Sequence, residues 1–145
     1  MVLRVEAPVL VKNTLGDFHQ YPIKGVDSNG DIECERRISL FYELRVALVM
    51  KFPGLYIPPL PEKKLTGKKE ELVLVERQHF LNLFCRECAN LKYIAQSIEL
   101  NTFLTAEPKL CSEKLQKLQR KPKSQDRLAL YSKCLYLSAV SPISP

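Results

Sequence analysis

The sequence of residues 35–64 is ERRISLFYELRVALVMKFPGLYIPPLPEKK, and its pattern changes twice within this short stretch. After two arginines, apolar residues recur at helical spacing up to Phe52, which predicts a helix with Ser39 as its N-cap. Pro53-Gly54 ends that helix. Prolines then stand at positions 58, 59 and 61. Because proline lacks a backbone donor, this segment is predicted to be an ordered extended loop.

Strands are predicted before this stretch and helices after it. Residues 3–12 and 18–26 are rich in β-formers, the first interrupted at Pro8, and Asn29-Gly30 is a hairpin signal that leads into a third strand. Helical patterns follow at positions 70–90, 97–104 with Ser97 as a cap, 112–121 and 127–137. The predicted fold class is α+β: a three-stranded antiparallel sheet packed against a helical subdomain, with a proline-rich loop.

The basic charge of the chain is concentrated near its C-terminus. Residues 1–108 hold 14 Lys/Arg and 14 Asp/Glu, whereas residues 109–133 hold eight basic residues and two acidic ones. This local excess disfavours a globally basic nucleic-acid domain, and no nucleic-acid partner is expected. The five cysteines are an odd number, and residues 1–13 lack an apolar leader segment. Both features favour reduced thiols in the cytosol.

No group of residues predicts catalysis or a cofactor. Cys85 and Cys88 have the spacing of a metal or redox pair, but a zinc site needs a second ligand pair, which the two histidines do not provide. Both cysteines are therefore predicted to be structural, with no metal bound and no enzyme activity. Pro58 and Pro61 leave open a polyproline ligand for an SH3-type domain.

Basic residues stand at three separate points around the proline loop. Arg36-Arg37 lies where the last strand meets the first helix, Lys63-Lys64 closes the loop, and Arg77 lies early on the second helix. A fold that brings them together would form a phosphate pocket, because one guanidinium can bind two phosphate oxygens. The spacing alone leaves open that these are solvated surface charges.

Four ordered blocks of sequence carry a family resemblance: ERRISLFYEL, KFPGLYIPPLPEKK, ERQHFLNLF and KYIAQSIELNTFL. Over about residues 10–105, the chain resembles the phox homology (PX) domain in the form found in sorting nexins. The resemblance implies a three-stranded sheet packed on helices, and binding of phosphatidylinositol 3-phosphate on endosomal membranes. It also implies a cytoplasmic, peripheral membrane adaptor with protein partners in trafficking.

The resemblance further implies which residues bind the lipid headgroup. Arg37 matches the arginine that grips the 3-phosphate, Lys63 the lysine that meets the 1-phosphate, and Arg77 the arginine that bonds ring hydroxyls. Ile38 stands where the family has an aromatic that stacks on the inositol ring, and Leu40 replaces an acidic residue. Losing the aromatic contact would cost ~1 kcal/mol, or roughly fivefold to tenfold in affinity. The alternative is a degenerate PX scaffold that binds proteins without specific lipid recognition.

The segment after the proline loop is the predicted membrane contact. Lys64, Lys68 and Lys69 would attract an anionic leaflet. Leu65 would enter the leaflet. The alternative is an ordinary solvated Lys-rich loop that does not contact the membrane.

The predicted PX-like domain spans residues 1–105. A Lys-rich helical extension or tail follows over residues 106–145. This tail is interpreted either as a second electrostatic contact with the membrane or as a solvated extension. Phe41 keeps the family residue at its position and is predicted to lie in the core.

Overall fold

The computed structural model describes residues 1–63 and 69–119, which form a sheet covered by helices. The strands are β1 (Val2–Val5), β2 (Val9–Val11), β3 (Phe18–Asp27) and β4 (Gly30–Arg36). The helices are α1 (Ile38–Lys51), α2 (Glu70–Asn90), α3 (Lys92–Ala95), α4 (Ile98–Thr105) and α5 (Pro108–Leu118). The predicted α+β order is confirmed, while the predicted helix at 127–137 lies outside the described residues.

The central strand of the sheet is β3, which pairs antiparallel with each of the others. β1 and β2 pair with consecutive stretches of β3, with Val5 opposite Ile23 and Val9 opposite Gln20. The single first strand that was expected is therefore split in two around Pro8, whose missing N–H cannot join the ladder. The sheet has four strands but is three strands wide across β1, β3 and β4.

The β3–β4 hairpin confirms the signal at Asn29-Gly30. Asp27 pairs with Gly30 across a two-residue loop, and the Asn29 amide donates to Asp27 Oδ1 at 2.8 Å. Gly30 has a φ of +127°, a conformation that favours glycine. This tight turn places β4 beside β3 and delivers the chain to the start of α1.

The helix boundaries follow the sequence closely in two places and depart from it in two. α2 has the predicted bounds, and Ser97 caps α4 by accepting from the Leu100 amide at 3.2 Å. The prediction that Ser39 caps α1 is wrong. The Arg37 carbonyl already accepts from the Leu40 amide at 3.0 Å, so the helix begins earlier. The short α3 was not predicted, because four residues carry too little periodicity.

The core lies between the sheet and the helices, with Phe41 at its centre. The Phe41 ring makes edge contacts with Tyr21, Phe84 and Phe103 at centroid distances of 6.4, 6.4 and 5.0 Å. No part of Phe41 is exposed, which confirms the prediction that it is a core residue. The Phe41 ring therefore joins β3, α1, α2 and α4 at one point.

Packed structure continues past residue 105 into α5. Pro108 starts this helix earlier than the pattern predicted, because proline suits the first helical position. Cys111 and Leu115 join the core. The Gln119 amide, just after the helix, donates to the Glu43 carbonyl at 2.9 Å and ties α5 to α1. The division of the chain into 1–105 and 106–145 stays a prediction.

Candidate functional site

The two arginines after β4 have different environments. Arg36 is 2% exposed, and its Nε and Nη2 atoms donate to the carbonyls of Phe103 and Ala106 at 2.7 and 2.6 Å. A buried guanidinium with such partners is a structural group. Arg37 is exposed, and its guanidinium lies over the Phe18 ring, 4.1 Å from the centroid. Because guanidinium donors lie in its plane, this stack holds the side chain without using them.

The proline-rich loop is held in place by side chains of α1. Arg45 donates from Nε to the Pro58 carbonyl at 2.9 Å, and the Tyr42 hydroxyl donates to the Pro61 carbonyl. The predicted ordered loop is confirmed. Pro58 is buried, so the Pro58–Pro61 pair is packed into the domain instead of presented to an SH3-type partner. These bonds fix the position of Lys63 at the end of the loop.

Lys63 contacts both α1 and α2. Arg77 donates from Nη2 to the Lys63 carbonyl at 3.1 Å, and the Lys63 ammonium lies 5.0 Å from the centroid of the Tyr42 ring. Two of the basic residues predicted to share a pocket are therefore brought together by the fold. The family resemblance had linked them, whereas spacing alone had left their proximity open.

Arg77 carries a buried donor that no described residue satisfies. Its Nε has no hydrogen-bond partner within residues 1–63 and 69–119. Burial raises the pKa of Tyr21, and the Arg77 guanidinium opposes that rise by its charge and by a side-chain hydrogen bond, so the Tyr21 hydroxyl is a close polar neighbour of Arg77. A buried donor without a partner is unfavourable, and an oxygen-rich ligand would remove that cost.

An open cavity of about 370 Å³ lies where α1, the end of the proline loop and the end of α5 meet. The described residues that line it are Ile38, Ser39, Tyr42, Glu43, Val46, Lys63 and Gln119. Its volume is in the range of small-molecule sites. Two predicted headgroup residues, Ile38 and Lys63, face the cavity. Arg37 and Arg77 are not among the described residues that line it, since the Arg37 guanidinium lies over Phe18 and Arg77 donates to the Lys63 carbonyl.

This combination of fold and residues matches a known family. The sequence profile of the PX domain matches residues 25–107, which is more than half of the chain. The chain belongs to the PX domain family. The predicted family is thereby confirmed. PX domains of sorting nexins are non-enzymatic adaptors, so the prediction that this PX domain is not an enzyme is also confirmed.

Sorting nexins are among the relatives of this PX domain. Sorting nexin-41 of Yarrowia lipolytica is 37% identical over 84 residues, which cover 52% of this chain and 15% of the relative. Sorting nexin-41 of Emericella nidulans is 36% identical over 90 residues, which cover 56% of this chain and 14% of the relative. The matched region therefore spans a small part of either sorting nexin.

A solved structure supports the fold. The X-ray structure of a designed CISK-PX domain superimposes with a TM-score of 0.65 at 24% sequence identity. The match covers 73% of this chain and 100% of the designed domain. At that identity, the likeness establishes the PX fold of this chain and nothing about its ligand.

Some residues of the PX cavity escaped prediction. Tyr42 follows Ile38 by four positions, so helical spacing was the signal that would have placed both on one face. Gln119 arrives from the far end of the chain, and no local signal predicts that approach. Leu40, at the family's acidic position, is buried in the core and takes no part in the cavity.

The predicted membrane-contact residues are only partly within the structure. Lys69 is exposed at the start of α2. The others, Lys64, Leu65 and Lys68, lie outside the described residues. No helix in the described ranges is long and apolar enough to cross a bilayer.

The cysteine pair on α2 is buried in the PX core. Burial raises the pKa of the Cys88 thiol to about 12 and that of Cys85 well above its usual range. Both thiols therefore stay protonated and unreactive near neutral pH, as structural cysteines do. Within the described part of the chain, no cluster of His, Cys, Asp and Glu is arranged to hold a metal ion.

Proposed function

We propose that this PX domain binds the headgroup of phosphatidylinositol 3-phosphate and acts as a peripheral membrane adaptor in endosomal trafficking. The proposal rests on the meeting of Ile38 and Lys63 at one cavity, with Arg77 bonded to the Lys63 carbonyl. Membership of the PX family supports phosphoinositide binding, and the similarity to sorting nexins supports the trafficking role.

Each basic residue meets a different part of the headgroup in this proposal. Arg37 pairs with the 3-phosphate, since its guanidinium is exposed and held by Phe18. Lys63 pairs with the 1-phosphate from the edge of the cavity. Arg77 bonds ring hydroxyls through its buried Nε. Hydrogen bonds that involve a charged group contribute about 1.5–3 kcal/mol each, so these three residues dominate affinity.

Contacts with the bilayer add weaker and less specific attraction. Lys69 and its neighbours Lys64 and Lys68 each contribute ~1 kcal/mol near an anionic leaflet. Burying Leu65 in the leaflet adds at most ~2–3 kcal/mol. The Lys-rich residues 109–133 provide a second electrostatic contact. Headgroup recognition selects the membrane, and these contacts prolong residence on it.

Sedimentation with vesicles that carry each phosphoinositide in turn, at near-physiological salt, tests the proposal. The wild type is expected to sediment selectively with 3-phosphate vesicles, and Arg37→Ala to lose that selectivity. Arg4→Ala is the matched control, because Arg4 is an exposed arginine on β1 that pairs with Glu6 at 3.5 Å. Wild-type binding by Arg37→Ala would contradict the pocket assignment. Equal, salt-sensitive binding to every anionic vesicle would leave only nonspecific contacts.

A second candidate function is a protein-interaction module without specific lipid binding. The solvent side of α2 exposes 56% of Leu72 and 65% of Val75, and helical spacing places these two on one face. Exposed apolar surface of this kind is typical of protein interfaces. The absence of an aromatic at Ile38 also favours this function. Failure of the wild type to bind any vesicle would select it.

A further inference from the structure

Tyr42 forms part of the cavity wall on α1. Ile38, Tyr42 and Val46 follow one another at intervals of four residues, so their side chains share one face of the helix. All three line the cavity, and Tyr42 is the aromatic residue among the described residues that do so. The cavity therefore has an aromatic surface one helical turn from the position where the family resemblance placed it.

The Tyr42 ring is held in place before any ligand arrives. Its hydroxyl donates to the Pro61 carbonyl, and the Lys63 ammonium lies 5.0 Å from its centroid. Burial raises the pKa of Tyr42 although the nearby Arg77 opposes this rise, so the hydroxyl keeps its proton and remains a donor. A side chain already ordered in this way loses little entropy when a ligand contacts it.

We propose that Tyr42 supplies the aromatic surface that Ile38 lacks, so that the ring of a phosphorylated polyol packs against Tyr42 while Lys63 binds an adjacent phosphate. This inference rests on the proposed headgroup function and adds a specificity-determining residue to it. The Lys63 ammonium sits on a flexible stem and can turn from the Tyr42 ring to a phosphate without leaving the cavity.

Phe18 is the other aromatic beside a predicted headgroup residue, and the geometry favours Tyr42. The Phe18 ring is covered by the Arg37 guanidinium, and Phe18 is not one of the described residues that line the cavity. Phe18 therefore positions Arg37, whereas Tyr42 borders the space that a ligand would fill.

Calorimetric titration with a soluble, short-chain phosphatidylinositol 3-phosphate tests the cavity without a membrane. Tyr42→Phe keeps the ring and is expected to bind within about twofold of the wild type. Tyr42→Leu loses the ring and is expected to bind roughly fivefold to tenfold more weakly. Adding Ile38→Tyr to the Tyr42→Leu variant is expected to restore most of that loss. Tyr56→Leu removes an exposed tyrosine that is not among the described residues lining the cavity, so it is the control and is expected to leave binding unchanged.

Each other outcome overturns a defined statement. Wild-type affinity in Tyr42→Leu would overturn the inference and leave the proposed function intact. Equal weakening in Tyr42→Phe and Tyr42→Leu would also overturn it, because loss of the hydroxyl bond to Pro61 would then explain the effect. No binding by the wild type would overturn the proposed function and the inference with it.

A measurement on the wild type covers the case in which Tyr42→Leu does not fold. The Tyr42 ring protons are identified in the NMR spectrum by their absence from the spectrum of Tyr42→Phe. Titration with the same short-chain lipid is expected to shift them. Lipid binding that leaves these resonances unmoved would overturn the inference.

Discussion

Arg36 and Arg77 both place guanidinium nitrogens inside the domain, but their hydrogen bonding differs. Arg36 donates to three backbone carbonyls, and two of these belong to the end of α4, at Phe103 and Ala106. Arg77 donates to the Lys63 carbonyl, yet its Nε has no partner among the described residues. Arg36 is held by three backbone carbonyls and Arg77 by one among the described residues, so more of the Arg77 guanidinium is available to a ligand.

Helix α1 likewise has one face that packs in the core and another that borders the cavity. Phe41, Leu44 and Leu48 face the core and are fully covered by neighbouring side chains. Tyr42 and Val46 face the open cavity, and Val46 is 48% exposed. One helix therefore closes the core on one side and leaves room for a ligand on the other.

The largest expected effect is on stability, at Arg36. Arg36→Ala leaves carbonyls at the end of α4 without their donors and is expected to lower the free energy of unfolding by about 3–5 kcal/mol. Arg37→Ala, at the neighbouring exposed position, is expected to cost less than about 1 kcal/mol. Urea denaturation measures both. Similar losses of unfolding free energy in Arg36→Ala and Arg37→Ala would contradict the statement that Arg36 is a structural residue and Arg37 is not.

The next effect is on binding, at Arg77. Arg77→Ala is expected to weaken binding of short-chain phosphatidylinositol 3-phosphate about 10- to 100-fold, because a charge-assisted bond is lost. Arg86→Ala is the matched control, since Arg86 is exposed on the same helix. Titration calorimetry, with thermal melting to check the fold, measures the difference. If both variants bind alike, the unpaired Nε has no role in recognition.

The smallest expected effect is the response of the core to alkaline pH. The pKa of Cys88 is raised from 9.0 to about 12, so the unfolded thiol ionises first and unfolding becomes easier as pH rises through this range. The loss is at most about 1.4 kcal/mol per pH unit for one thiol. Urea denaturation near neutral pH and at about pH 10 is expected to show a smaller drop in Cys88→Ala than in the wild type. Equal drops would mean that this thiol ionises as freely in the fold as in the unfolded chain.

Local signals predicted most of the architecture. The bounds of α2, the hairpin at Asn29-Gly30 and the Ser97 cap all depend on residues within a few positions of one another. The sequence showed an interruption of the first strand at Pro8. It did not show that the two resulting strands, β1 and β2, would both pair with β3, because that pairing depends on the whole sheet. The prediction that Ser39 caps α1 was wrong because Arg37 is the N-cap residue. Arg37 caps the helix through its backbone carbonyl alone, and a backbone carbonyl leaves no signal in the sequence.

The candidate site was predictable only where the family resemblance reached. Ile38 and Lys63 face one cavity and Arg77 donates to the Lys63 carbonyl, whereas Arg37, which the resemblance also implied, does not line that cavity. Contacts specific to this chain were not predictable. Phe18 under Arg37 and Gln119 in the cavity wall come from distant parts of the sequence and meet only after folding. Their roles in binding stay predictions.

Arg36 also has a consequence for the order in which the domain is completed. Arg36 donates a hydrogen bond to the carbonyl of Ala106, which lies 70 positions later in the chain. During synthesis on a ribosome, the β3–β4 hairpin emerges well before α4. Until α4 has folded, the Arg36 guanidinium is hydrogen-bonded to water instead of to the carbonyls of Phe103 and Ala106. Closing so long a loop is slow and carries an entropic cost. We therefore expect dehydration of Arg36 to be a late step of folding. The end of the β3–β4 hairpin then reaches its final packing only after α4 has docked.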